Sequence, residues 1–241
     1  MGGYYTEKLS AERLREVYAI GSPAVQAYLQ GEIDFVRERM RPGDRILELG
    51  CGYGRVLEAL ASGGARGAGS AGCAVEDSAP TGSRLWGIDT SLASLKLARR
   101  SPGTAGVRLA TMDAGRLGLR DGVFDLVACI QNGISSFAID PLTLMREAVR
   151  VTRAGGQVLF SSYAARFWPH RLAWFGAQAA RGLLGEIDDQ ATGDGVIVCK
   201  DGFRATTLTP EDFRRLAGAL STLAEIREVA DSSLFCILSV D

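Results

Sequence analysis

Excess basic charge, paired cysteines and long apolar runs are all missing from this 241-residue chain, and each absence removes a class of function. A net charge of −1 provides no global positive field to attract nucleic acid or anionic lipid. The five cysteines, Cys51, Cys73, Cys129, Cys199 and Cys236, are scattered and odd in number. None forms a C-x-x-C pair, which speaks against a zinc site and against a redox dithiol. Three lie in apolar, strand-like runs and fit small core residues. No uninterrupted apolar run approaches the ~20 residues that span a bilayer. Residues 1–14 are charged and lack the apolar core of a signal peptide. A reducing cytoplasm and no membrane partner are therefore expected. Histidine is nearly absent too: His170 is the single imidazole on offer as a general base.

Strand and helix signals alternate along what remains. The length suits one α/β domain with a sizeable core. Helices are expected over 10–20 and 23–40, the second opened by Ser22 as cap and Pro23 in its first turn. Strands follow at 46–49, 85–88, 107–111, 124–130 and 157–161. Helices lie between them at 55–61, 92–100 and 140–153, with Gly155-Gly156 expected to stop the last. This order calls for a parallel sheet with helices on both faces. An amphipathic, aromatic-rich helix is expected at 167–184. Two short strands are expected around Asp201-Gly202, a capped helix from Thr209-Pro210, and a closing strand pair at 224–229 and 234–240. Residues 62–84 are mostly Gly, Ala and Ser without any period, and fit a mobile surface insertion. The division expected is an N-terminal helical cap, 1–42, and one domain, 43–241, with insertions at 62–84 and 164–208.

The most informative segment is Ile46-Leu47-Glu48-Leu49-Gly50-Cys51-Gly52-Tyr53-Gly54. An apolar strand ends in a carboxylate, and glycines follow at alternate positions before a helix. Glycine suits positive φ, or a ligand lying against the main chain. An anion two residues before the first glycine does not suit a phosphate cradle, which helix N-termini already provide. It suits a ligand with a cationic amino group. The dinucleotide fingerprint G-x-G-x-x-G is not matched, because Arg55 stands where its third glycine belongs.

Glu48, Gly50, Gly52 and Gly54 resemble motif I, E/D-x-G-x-G-x-G, of the class I S-adenosylmethionine-dependent methyltransferases. The resemblance covers residues 43–163 by motif and 209–241 by pattern. It implies a Rossmann-like, doubly wound, mostly parallel seven-stranded sheet with an antiparallel last strand. It also implies S-adenosyl-L-methionine as methyl donor and S-adenosyl-L-homocysteine as product. By resemblance, the backbone from Gly50 through Cys51 to Gly54 lies against the methionine part, and Glu48 orients the amino group. Asp89, beside Thr90, matches the motif II acid, whose carboxylate accepts both ribose hydroxyls; capping the next helix is its other role. Asp113 receives the adenine amino group and the Ala114 amide reaches the ring, unless Asp113 is a solvated turn residue. Phe124-Asp125-Leu126-Val127 resembles the family's fourth strand, whose end, Ile130, Gln131 and Asn132, faces the methyl donor or else satisfies loop amides.

Substrate contacts are expected from Tyr5, Asn132, Tyr163, Trp168, His170 and Trp174, although an aromatic stripe also fits core and a lone histidine also fits a structural role. Tyr4 and Tyr5 are candidates to fold across the site, where aromatic faces suit a sulfonium. The D/N-P-P-Y/F motif of amide- and base-N-methylating relatives is absent, since Gly133-Ile134-Ser135 follows Asn132. No carboxylate cluster suggests a metal. The expected function is methylation of a small molecule, with an acceptor already nucleophilic near neutral pH, such as a thiol or amine. A protein or RNA methyltransferase, a non-catalytic S-adenosylmethionine-binding module and, least, a nicotinamide oxidoreductase are the alternatives. A basic cleft or a separate binding domain, which a protein or RNA substrate would call for, is not visible.

Overall fold

The computed structural model describes residue 4, residues 8–62 and residues 82–241. Cys73, Tyr5 and most of the expected 62–84 insertion lie outside the described residues. Two helices come first, α1 (Glu12–Ala19) and α2 (Pro23–Arg37). Ser22 Oγ accepts a hydrogen bond from the Val25 amide and so caps α2. The sheet is built from β1 (Arg45–Leu49), β2 (Arg84–Asp89), β3 (Arg108–Thr111), β4 (Phe124–Cys129) and β5 (Thr152–Tyr163). Helices α3 (Arg55–Ala61), α4 (Leu92–Ala98), the single turn α5 (Gly133–Ser136) and α6 (Pro141–Val151) connect them. Beyond β5 come α7 (Trp168–Ala180), the short antiparallel pair β6 (Ile197–Val198) and β7 (Arg204–Ala205), α8 (Pro210–Ala219), β8 (Ala224–Val229) and β9 (Ser233–Ser239).

The seven strands lie in the order β3-β2-β1-β4-β5-β9-β8. The first five are parallel, and β9 runs antiparallel to both β5 and β8. Strand order therefore reverses between β1 and β4, and a crevice must open outside their carboxyl ends.

One boundary differs from the sequence expectation. Helix α6 ends at Val151, before the Gly155-Gly156 pair, because Thr152 is already extended (φ −85°, ψ 134°). Its hydroxyl donates to the Ala148 carbonyl, and its backbone pairs with Phe124, so both the helix end and the strand start are satisfied there. The two glycines lie in the irregular opening of β5, where the register with β4 shifts.

Apolar side chains collect in three clusters. Two lie on the faces of the sheet. The buried members of the third come entirely from residues 9–29 and 163–205, so the N-terminal helices and the segment after β5 share a core of their own above the strand ends. Rings hold it together: Tyr28 packs on Tyr163 at 4.9 Å and on Phe167 at 5.1 Å between centroids. The Arg171 guanidinium is fully buried against the Tyr163, Trp168 and Phe175 rings and donates to the Gly195 carbonyl at 2.7 Å. Polar ties fix the cap to the rest. Trp174 Nε1 donates to the Val17 carbonyl, Arg13 Nη2 to that of Gly182, and the Ala11 amide to Ser94 Oγ.

Gly54 joins the glycine turn to α3 with φ +86°, and a Cβ there would lie 3.1 Å from both Ala98 Cβ and Thr104 Cγ2. Gly54→Ala is expected to lower stability by about 2 kcal/mol, from the left-handed backbone and the crowding together. Urea unfolding checks this, and a loss below about 0.5 kcal/mol would show that the turn relaxes.

Candidate active site

A cavity of about 500 Å³ occupies the crevice between β1 and β4 and continues beneath the cap. That volume is within the range of sites for small ligands.

Its β1 wall presents Glu48. The side chain is 5% exposed, and Oε2 has no hydrogen-bond partner among the described residues. Burial pushes its carboxyl up to about 8; the Arg55 cation pulls the other way and the Asp89 charge adds to the rise. A buried carboxylate with one oxygen unused is a site for a cation that brings its own hydrogen-bond donors.

The glycine turn is laced to β2 from behind. The Gly50 and Cys51 amides both donate to the Ile88 carbonyl, at 2.8 and 2.9 Å. Gly50 has φ +76°, and a Cβ on it would lie 2.3 Å from Phe137 Cζ. Its bare backbone faces the cavity. Cys51, Gly52 and Gly54 do not line the cavity. Cys51 is buried behind the turn, where desolvation pushes its thiol up, away from thiolate chemistry.

Asp89 ends β2 and does two things at once. Its Oδ2 accepts from the Gly52 amide at 2.8 Å and its Oδ1 from the Ser91 amide at 2.7 Å, so it fixes the turn. With Thr90 it also lines the cavity, where burial raises its carboxyl despite those amides. It does not cap α4, because Ser91 Oγ accepts from the Ser94 amide instead. After β3, Asp113 and Ala114 line the same wall, and Asp113 Oδ1 accepts from the Gly115 amide in a local turn.

At the end of β4, Ile130, Gln131 and Asn132 reach the cavity. Gln131 and Asn132 are consecutive left-handed residues, φ 58° and 59°, a conformation that non-glycine residues hold only with support. Glu32 on α2 provides that support. It is fully buried, and its Oε2 accepts from the Gln131 amide and from Ser161 Oγ. Burial raises its carboxyl to about 7, against the lowering effect of the Ser233 hydroxyl and of those two donors. Asn132 uses its amide for packing: Nδ2 donates to the Thr206 carbonyl and Oδ1 accepts from Ser162 Oγ.

Under the cap the walls turn apolar, with Tyr28, Tyr163, Trp174 and Phe175 around the cavity and Leu14 and Val17 from the N-terminal segment. Trp168 and His170 do not line it. His170 is exposed in the first turn of α7, its ring against Phe167, while Arg171, Trp174, Phe175 and Gln178 form the buried face of that helix. His170 therefore does not reach the cavity. Trp168 stacks on Arg171. Tyr4 donates to Asp201 and packs on Phe203, and it does not line the cavity either. Sequence reasoning missed Glu32 and Gln178. Glu32 is the polar member of an otherwise apolar stripe on α2, and Gln178 shares a mostly aromatic stripe with Arg171 on α7; that is the signal available.

Residues 47–160 match the family model described as a methyltransferase domain. The ubiquinone biosynthesis O-methyltransferase of Aromatoleum aromaticum is 28% identical over 145 residues, 59% of this chain and 53% of that protein. The chain thus spans about half the length of the curated relatives it matches. Among solved structures, the PH0226 protein of Pyrococcus horikoshii superposes with a TM-score of 0.59 at 17% identity, covering 99% of this chain and 96% of that one. A SAM dependent methyltransferase from Aquifex aeolicus gives 0.59 at 11% identity, over 93% and 96%. These two likenesses show the fold. The sequence match starts at Leu47 and runs through Phe160, so it takes in all four strand ends described above, and it identifies residues 47–160 as a methyltransferase domain similar to those of the class I S-adenosylmethionine-dependent enzymes.

Proposed function

We propose that the protein methylates a hydroxyl oxygen of a small, largely apolar molecule held under the N-terminal cap. The observation that carries this reading is the continuity of one cavity from the acid-lined strand ends to the aromatic chamber. S-adenosylmethionine, when bound, supplies a sulfonium-activated methyl group. The chain's own residues suit that ligand: the unused Glu48 oxygen meets an ammonium, the bare Gly50 backbone permits close approach, and Asp89 offers a carboxylate to a diol. Asp113 and Ala114 line the same cavity, and by resemblance they are the adenine contacts. The cap excludes water and holds the acceptor close, which is most of what an in-line displacement asks of a protein.

An oxygen acceptor is placed ahead of the thiol or amine expected from sequence because the curated relatives are O-methyltransferases. No histidine lines the cavity among the described residues, and this reading gives Glu48 to the donor. A phenolic or enolic hydroxyl, which gives up its proton readily, therefore fits better than an aliphatic alcohol. Calorimetry with S-adenosylmethionine, S-adenosylhomocysteine and NAD, followed by labelled-methyl transfer to phenols, thiols and amines, tests the reading. Binding of the first two ligands and transfer to phenols is expected. Binding of NAD alone, or transfer confined to amines or thiols, would contradict it.

A further inference from the structure

The wall of the acceptor chamber contains two buried donors without a hydrogen-bond partner among the described residues, the Tyr28 hydroxyl and the Gln178 amide, and only the second stands on α7 beyond the aromatic pair. Gln178 lies on α7 one turn beyond Trp174 and Phe175, on the same helix face, and lines the cavity with them. It is 2% exposed. Its Nε2 is buried and has no hydrogen-bond partner among the described residues. The neighbouring donor, Trp174 Nε1, is already used by the Val17 carbonyl. Burying an amide N–H without a partner is unfavourable, and a leucine would fill the same space without that cost. An unused donor on a residue that lines a cavity fits a site built for a ligand oxygen.

The charge of that oxygen follows from what surrounds the cavity. No lysine, arginine or histidine lines it among the described residues, while Glu48, Asp89 and Asp113 do. A carboxylate or phosphate would find no basic side chain on that lining to pair with. A neutral carbonyl oxygen on an aromatic body needs only the N–H of Gln178 and the apolar rings beside it. Gln131 Nε2 is also buried and unpartnered, but it stands at the end of β4, on the donor side.

We infer that Gln178 is a specificity-determining residue that donates a hydrogen bond to a carbonyl oxygen of the methyl acceptor, so that the protein selects aromatic hydroxy-carbonyl compounds over equally sized hydrocarbons. This rests on the reading of the chamber as the acceptor site. The test uses two probes of matched size, 4-hydroxyacetophenone and 4-ethylphenol, titrated calorimetrically into protein saturated with S-adenosylhomocysteine. The wild type is expected to bind the ketone about tenfold more tightly, the scale of one hydrogen bond to a buried donor. Gln178→Leu is expected to abolish that preference while keeping 4-ethylphenol within about twofold and S-adenosylhomocysteine unchanged. Gln178→Met, unbranched like glutamine, repeats the measurement should leucine disturb the helix face. Equal binding of both probes by the wild type, or no binding of either, overturns the inference, as does an unchanged preference in both variants. Failure of S-adenosylhomocysteine to bind the wild type would instead overturn the methyltransferase reading beneath it.

Discussion

Glu48→Gln is expected to weaken S-adenosylmethionine binding by roughly 3 kcal/mol, on the order of a hundredfold, while stabilising the ligand-free protein. The two effects have one cause. Glu48 is buried with an unpartnered oxygen, so its charge is unfavourable until a cation arrives. Its folded value of about 8 lies above the ordinary carboxylate range. The folded, ligand-free protein therefore holds a proton that the unfolded chain releases, and stability on this account falls as pH rises from about 4.5 to 8. Glutamine removes that loss, so the stability gain of the variant grows across the same window. Pairing with an ammonium reverses the preference and expels the proton. Between about pH 5.5 and 7.5, binding should release a proton and affinity should rise with pH. Calorimetry in two buffers of different ionisation enthalpy measures the release, which Glu48→Gln should eliminate. Unchanged affinity in the variant would contradict the assignment.

Glu32→Ala is expected to cost about 3–4 kcal/mol of stability, because it orphans the Gln131 amide and Ser161 Oγ in a fully buried place and leaves a void. Glu32→Gln, which keeps an acceptor oxygen, should cost about half as much. The effect should extend to function. Glu32 holds the left-handed pair at the end of β4, so turnover should fall further than S-adenosylmethionine affinity does. Its folded carboxyl, about 7, is raised like that of Glu48, and its contribution is lost as pH climbs through that value. Denaturant unfolding at pH 5.5 and 8 measures both terms. A loss below about 1 kcal/mol in Glu32→Ala would show that the β4 turn does not depend on α2.

The sheet was legible because its signals are local. Apolar runs ending at Glu48 and Asp89, each followed by a helix signal, and a third ending near Asp113 define parallel strands and place their carboxyl ends together. The closing antiparallel pair was legible from its turn at 231–233. The end of α6 was not, because the helix stops on the Thr152 hydroxyl and the pairing of Thr152 with Phe124, contacts that no local pattern announces. The donor side of the site lies on consecutive strand ends, so chain order alone lined it up. The acceptor side is made by packing α1, α2 and α7 over those ends, at separations such as the 157 residues between Val17 and Trp174. Periodicity identified the helices but not which face meets which. His170 and Gln178 lie eight residues apart on one helix, and only the docked orientation puts the first in solvent and the second on the cavity wall.

A structure of the protein with S-adenosylhomocysteine bound tests the central claim most directly, that one cavity joins a donor site at the strand ends to an acceptor chamber under the cap. The account predicts the ligand's amino group on the free Glu48 oxygen, its ribose hydroxyls at Asp89, and its sulfur directed toward the chamber formed by Tyr28, Tyr163, Trp174 and Gln178. A ligand whose amino group lies away from Glu48, or whose sulfur faces away from that chamber, would contradict it.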